Sequence, residues 1–203
     1  MIKIKLSRDE IEHALRYAQY HCEHGAGTSP SHYHDAQTRQ ERLVTDQAVG
    51  QVATAAVAKY LYGHTLPYLQ TQFFQQLHST RYDYGYDINC INVDVKGSFM
   101  RGPDDPMRYN LAVAPDNVYP NWIYVQVLIQ HSSENPNDWL ECSPTIYVPG
   151  YCTTADLPDH PEKNNRWHGN LRVSTSDLTP LPPLRYDWFG NGSQGEDSRV
   201  LDR

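Results

Sequence analysis

Apolar and polar residues alternate along this chain with a period that changes from two to helical and back, and each change marks an element. The opening MIKIKL places apolar and basic residues on alternate positions, as in a short strand. Ser7 then stands three residues before Glu10, the spacing of a capping box, and predicts a helix to about Tyr20. EHGAGTSPSHYHD, residues 23–35, has the Gly, Ser and Pro content of a loop. A second capping-box pair, Thr38 with Glu41, precedes an Ala- and Val-rich run from Leu43 to Tyr62 that Gly63 ends. Apolar residues cover much of this helix's circumference, which predicts burial on several sides against a sheet, with Gly50 permitting close approach of a neighbour. A shorter helix is expected from Pro67 to Leu77.

From residue 82 the period returns to two in YDYGYDINCINVDVKGSFM, which predicts two strands, read most simply as a hairpin. NWIYVQVLIQ, residues 121–130, is almost continuously β-branched or aromatic, as expected of a central strand covered on both faces. TIYVPGY reads as another strand, TTAD as a turn or helix start before Leu157, DHPEKNNRWHGN as a loop, and LRVS as a short strand. TPLPPL cannot continue a sheet interior, and GNGSQGEDSRVLDR has the composition of a polar tail. The pattern predicts an α/β fold with a mixed central sheet flanked by helices, one domain over 1–189 and a flexible tail over 190–203.

Composition narrows the function classes. The chain has 203 residues, enough for one sizeable core, and with 15 tyrosines and 4 tryptophans it should fold although only 39% of it is hydrophobic. A net charge of -7 gives no global attraction to phosphate, so nucleic-acid binding would need a local basic patch or bridging divalent cations. That counts against a pure DNA-coating protein. No run of about 18 apolar residues predicts a membrane span. The four cysteines, at 22, 90, 142 and 152, form no CxxC pair, and the start has no apolar leader, so a reducing cytoplasm is expected.

Candidate chemistry centres on VDVKGS. Asp94 and Lys96 are two apart in a predicted strand and so share a face, with Val93 and Val95 on the other. A carboxylate there can hold a divalent cation, and the neighbouring ammonium can orient water or stabilise charge developing on a phosphate. Such a pair arises by chance about once in a chain of this size, and its bland alternative is a surface ion pair on a strand. Asp87, on the preceding segment, adds a second carboxylate if the two segments pair. Gly85 and Gly97 flank the group and permit either a turn or the close approach of a bulky ligand. Gln126, inside the apolar central strand, needs a hydrogen-bond partner that a polar site or a nearby loop can supply.

The order GQVATAAVAKYL, GYD, DVK and IYVQVLI, with GYCTTADL beyond, resembles the PD-(D/E)XK nuclease superfamily, the restriction-endonuclease-like fold, and especially its small phage and prophage members. The resemblance covers most of residues 1 to 185. It implies a metal-dependent nuclease hydrolysing DNA phosphodiester bonds in the host cytoplasm, with Mg²⁺ or Mn²⁺ on Asp87, Asp94 and the Val95 carbonyl, Lys96 positioning the water, and Gln126 accessory. Gln51 stands where many such proteins carry a metal-supporting glutamate, and Glu41 lies about three helical turns earlier, too far to replace it. The lost charge implies a weaker metal site or an inactive nuclease-like protein that binds nucleic acid or a partner. Cleavage of both duplex strands is commonly done by pairs of subunits, so a homodimer is compatible with the resemblance.

A competing metal reading comes from His21, Cys22, His24, His32 and His34, which supply zinc ligands in one short stretch, although only His21 and His24 approach a paired spacing. A polar loop explains them as well, and in a nuclease this loop with Arg39 or Arg42 would lie near the substrate backbone. GxSxG and phosphate-loop motifs are absent, and no cysteine has a recognisable catalytic setting.

Overall fold

The computed structural model describes residues 1–24, 36–78, 87–88, 91–159 and 169–181, with the backbone alone at 36–41. Over these residues the protein is an α/β structure in three layers: helices, a four-stranded mixed sheet, and a two-stranded sheet on its far face.

Strand β1 (Ile2–Ile4) leads into helix α1 (Arg8–Glu23), whose capping box is formed: the Glu10 N–H donates to Ser7 Oγ at 3.2 Å and the Ser7 N–H to Glu10 Oε2 at 2.7 Å. Helix α2 spans Ala36–Tyr62 and stops at Gly63, whose φ of 76° suits only glycine without strain. Because α2 begins at Ala36, Thr38 lies inside the helix, so the predicted Thr38–Glu41 capping box does not mark its start. Helix α3 follows as Leu66–His78.

Strands β2 (Val93–Arg101), β4 (Ile123–His131) and β5 (Thr145–Thr153) join β1 in the order β1-β5-β4-β2. β2 and β4 run parallel; β4 with β5 and β5 with β1 run antiparallel. The run 121–130 is therefore interior, as its apolar character predicts, and among the described residues β2 is an edge strand. Strands β3 (Asn110–Val113) and β6 (Leu171–Ser174) make the small sheet.

Alternation along the strands assigns the faces. Val93, Val95, Val125, Val127, Ile129, Ile146 and Val148 join the helix-side core with Ile11, Ala14, Val52 and Ala56. Tyr124 and Cys152 instead meet Leu111, Val113 and Val173 of the small sheet. The close approach on the helix side occurs at Gly97, where an added Cβ would lie 2.9 Å from both Val49 Cγ1 and the Val49 carbonyl oxygen. Gly50, the expected contact, has nothing within 4 Å of such an atom. Gly97 thus admits α2 rather than a ligand.

The first of the two strands expected from residue 82 lies mostly outside the described residues; within them Asp87 and Ile88 form a bend. The predicted loops at 25–35 and 160–168, the tail 190–203, and His32, His34 and Gly85 lie outside the described residues. No helix among the described residues is long and apolar enough to cross a membrane.

Candidate functional site

Because Gly97 and Val95 point to α2, the period of two turns Asp94 and Lys96 to the opposite face of β2. There they pair at 2.7 Å between Lys96 Nζ and Asp94 Oδ2. Asp94 is only 7% exposed. A surface ion pair on a strand would be hydrated on both members; here the carboxylate has been withdrawn from water beside the Lys96 ammonium, at a desolvation cost that the pair must offset.

Asp87 reaches the same strand by another route. Its N–H donates to the Val93 carbonyl at 3.1 Å, and its Oδ2 accepts the Val95 N–H at 2.5 Å, so the residue sits against the side of β2 that faces away from β4. A strand residue's N–H and C=O point to one side, so the Val95 carbonyl faces that edge as well. Standard bond lengths then put Asp87 Oδ2 no more than about 5 Å from the Asp94 Cα. The Asp87 carboxylate, the Asp94 side chain and the Val95 carbonyl thus all flank the Asp94–Val95 step of β2. This all-oxygen set fits a hard cation such as Mg²⁺ or Mn²⁺, which keeps several waters and takes only one or two carboxylates. No group of three or more His, Cys, Asp or Glu able to hold a metal occurs among the described residues, so these groups would hold a cation only together with water or phosphate oxygens.

On β4 the register sets Gln126 beside Lys96 and Tyr124 beside Asp94. Gln126 is 1% exposed, and its amide contacts Thr175 Oγ1 at 2.8 Å through Oε1 while Nε2 is left without a partner. Thr175 has one hydroxyl proton and also lies against the Tyr109 carbonyl, which can only accept. The arrangement that satisfies all three groups has Thr175 donating to Tyr109 and the reversed Gln126 amide donating to Thr175. Its carbonyl oxygen then faces the direction now taken by Nε2. Thr175 reaches this point because the chain crosses β5 at Gly150, opposite Gln126, where any Cβ would meet the Thr179 carbonyl oxygen at 2.5 Å.

Gln51 is not brought to this group. At about 100° per residue it lies roughly opposite Val49 and Ala53, the α2 residues that face Gly97. Its Oε1 accepts instead from the Tyr68 hydroxyl of α3 at 2.9 Å, a phenol that burial and neighbouring Tyr17 push well above its usual range. The helix thus presents Gln51 to α3 and not to the strand that carries Asp94.

The histidine cluster resolves into structural contacts where it is described. His21 is buried and bonds Gln72 Oε1 at 2.7 Å; His24 caps α1 through the Tyr20 carbonyl and stacks on the Tyr20 ring. Arg42 bonds Glu134 at 3.0 Å, a carboxylate it shares with Arg101. Burial, Glu23 and Asp46 push the Cys22 thiol up, and burial with Asp156 pushes Cys152 up to about 12, so neither serves as a thiolate nucleophile.

Two features were not anticipated. Thr175 comes from a segment without a recognisable motif, and an aromatic pair, Tyr119 with Trp122, stands just before β4 with ring centroids 4.7 Å apart. The sequence signal for the second was a tyrosine and a tryptophan around Pro120 and Asn121 in a turn-forming stretch. No family model, curated protein or solved structure matches this chain.

Proposed function

We propose that the chain is a metal-dependent nuclease of the restriction-endonuclease-like PD-(D/E)XK type, hydrolysing DNA phosphodiester bonds at the Asp87–Asp94–Lys96 site. The observation that carries this reading is the withdrawn Asp94–Lys96 pair on an edge strand with the Asp87 carboxylate seated on the same strand. A divalent cation held by Asp87, Asp94 and the Val95 carbonyl would supply positive charge to the phosphate. Lys96 donates hydrogen bonds from its ammonium, orienting the attacking water and countering charge that grows on the phosphoryl oxygens. Gln126, on the neighbouring strand, fixes the polar wall of the site through Thr175.

Purified protein is expected to nick or cut DNA in Mg²⁺ or Mn²⁺, and Asp94→Ala or Lys96→Ala is expected to abolish this while circular dichroism stays unchanged. Persistent cleavage by both folded variants would overturn the assignment.

A second reading takes the same ion pair differently: Lys96 neutralises Asp94 at 2.7 Å and holds it from a cation, leaving a nuclease-like protein that binds nucleic acid or a partner without cutting. It expects no cleavage and no Mg²⁺ or Mn²⁺ heat in calorimetry.

A further inference from the structure

Tyr119 and Trp122 occupy a loop whose placement is unusually well determined by hydrogen bonds. Thr154 Oγ1 donates to the Tyr119 carbonyl at 2.6 Å and accepts the Trp122 N–H at 3.2 Å. The Tyr119 N–H donates to the hydroxyl of buried Tyr124 at 2.9 Å, and that hydroxyl donates to the Asn117 carbonyl at 3.1 Å. Asn121, between the rings, adopts a left-handed φ of 61°, which asparagine tolerates better than other side-chain-bearing residues and which turns the chain into β4. Trp122 packs on the small-sheet core beside Val118 and Leu157, and Tyr119 leans on it at 41° while remaining 37% exposed. An aromatic surface is thus held rigid and presented to solvent.

Its position matters more than its exposure. Ile123 pairs with Val93, and the Ile123 N–H donates to the Asn92 carbonyl at 3.0 Å, so Trp122 lies level with Asn92 at the start of the parallel pair. Trp122, Tyr124 and Gln126 follow one another on a single face of β4, as Asn92, Asp94 and Lys96 do on β2. One strand spacing across and two residues along place the Trp122 Cα about 8 Å from the Asp94 Cα. That is about the reach from a phosphate in a single strand to the base beside it.

We infer that the Tyr119–Trp122 pair is a base-stacking platform of the nuclease site, taking one unpaired nucleobase next to the phosphate held at Asp94 and Lys96. The substrate class that fits is DNA single-stranded at the cleavage position, as at an end, a gap or a flap. A base stacked inside a duplex offers no free face to a tyrosine, whereas an unpaired one does, whatever its identity. The assignment rests on the nuclease reading for the neighbouring phosphate, but stacking itself needs neither metal nor cleavage.

The test separates the two. A short single-stranded oligodeoxynucleotide carrying one fluorescent aminopurine, moved through successive positions, is titrated with the full chain in EDTA, and the same set is assayed for cleavage in Mn²⁺. Stacking is expected to quench one position only, with affinity about tenfold weaker or worse when that base is removed to leave an abasic site, or in Tyr119→Ala. Circular dichroism of Tyr119→Ala is expected to overlay that of wild type, which guards against loss of folding, and Tyr119→Phe, which keeps the ring, is expected to restore binding. Quenching at one position without cleavage in Mn²⁺ supports the platform and removes the nuclease reading. Cleavage with no position sensitive to base removal, and Tyr119→Ala binding like wild type, overturns the platform and leaves the nuclease. Absence of both binding and cleavage overturns both.

Discussion

Asp94 and Gln51 illustrate how one side chain's direction decides its meaning. Asp94 follows Val93 and precedes Val95, both facing the helices, so its carboxylate turns to the other side of the sheet and meets Lys96. Gln51 lies two residues from both Val49 and Ala53, and in a helix that carries it to the opposite side, against Tyr68. The consequence concerns the charge that the resemblance leads one to miss. Gln51→Glu is expected to fold, its carboxylate accepting the Tyr68 hydroxyl in place of the amide oxygen, and to leave cleavage within about twofold of wild type. Cleavage assays on the two proteins side by side check this, and a large gain from the glutamate would mean that position 51 reaches the metal after all. At this scale the site was legible in part: the period of two in VDVK was enough to put Asp94 and Lys96 on one face. Nothing in the sequence indicated that a bend, and not a strand, brings Asp87 to the Val95 N–H.

Among the elements, the contact between α2 and β2 is the least tolerant. Gly97 lets the helix lie so near that the Val49 carbonyl, part of the helix backbone, occupies the place of a side chain. Gly97→Ala is expected to destabilise the fold by about 1–3 kcal/mol, the usual cost of forcing an extra methyl into a filled core. Chemical denaturation measures it, and adding Val49→Ala should recover little, because the backbone oxygen remains in the way. Long periodic elements such as α2 and β4 could be read from the sequence because their apolar runs exceed the noise of local composition. β3 could not: NLAV is four residues between turns, and it becomes a strand only by pairing with LRVS more than fifty residues on. The small sheet covers the face that carries Asp94, so the polar wall of the site, including Thr175, was beyond reach of local pattern.

For the whole molecule, two carboxylates oppose each other in the dependence of stability on pH. Burial alone would raise Glu10, but hydrogen bonds from Lys59 and from the Ser7 backbone, with the Lys59 charge, outweigh it and hold the carboxyl below its usual range. Glu10 therefore contributes stability above the unfolded glutamate value that is lost as pH falls through its lower folded value. Asp46 is pushed up by burial, with Arg42 offsetting part and Glu134 adding to the shift. Its sign is reversed: the fold is favoured while Asp46 is protonated, and that contribution is lost as pH rises through its folded value. Glu10→Gln is thus expected to lower Tm at neutral pH and Asp46→Asn to raise it, both converging on wild type in acid. Thermal melts across pH read the differences directly, and parallel shifts at all pH values would rule out titration as their cause.

Asp87 has a second consequence, for solubility. Among the described residues β2 is an edge strand, and an edge with unpaired N–H and C=O groups invites another chain to add itself to the sheet. The Asp87 backbone and carboxylate occupy the Val93 carbonyl and the Val95 N–H, two of the positions such an intruder would use. The residue proposed to bind a cation therefore also guards the sheet against self-association. Asn at position 87 would keep an acceptor for the Val95 N–H while discarding the charge, whereas Ala would unmask the edge as well, so only the first separates lost chemistry from aggregation.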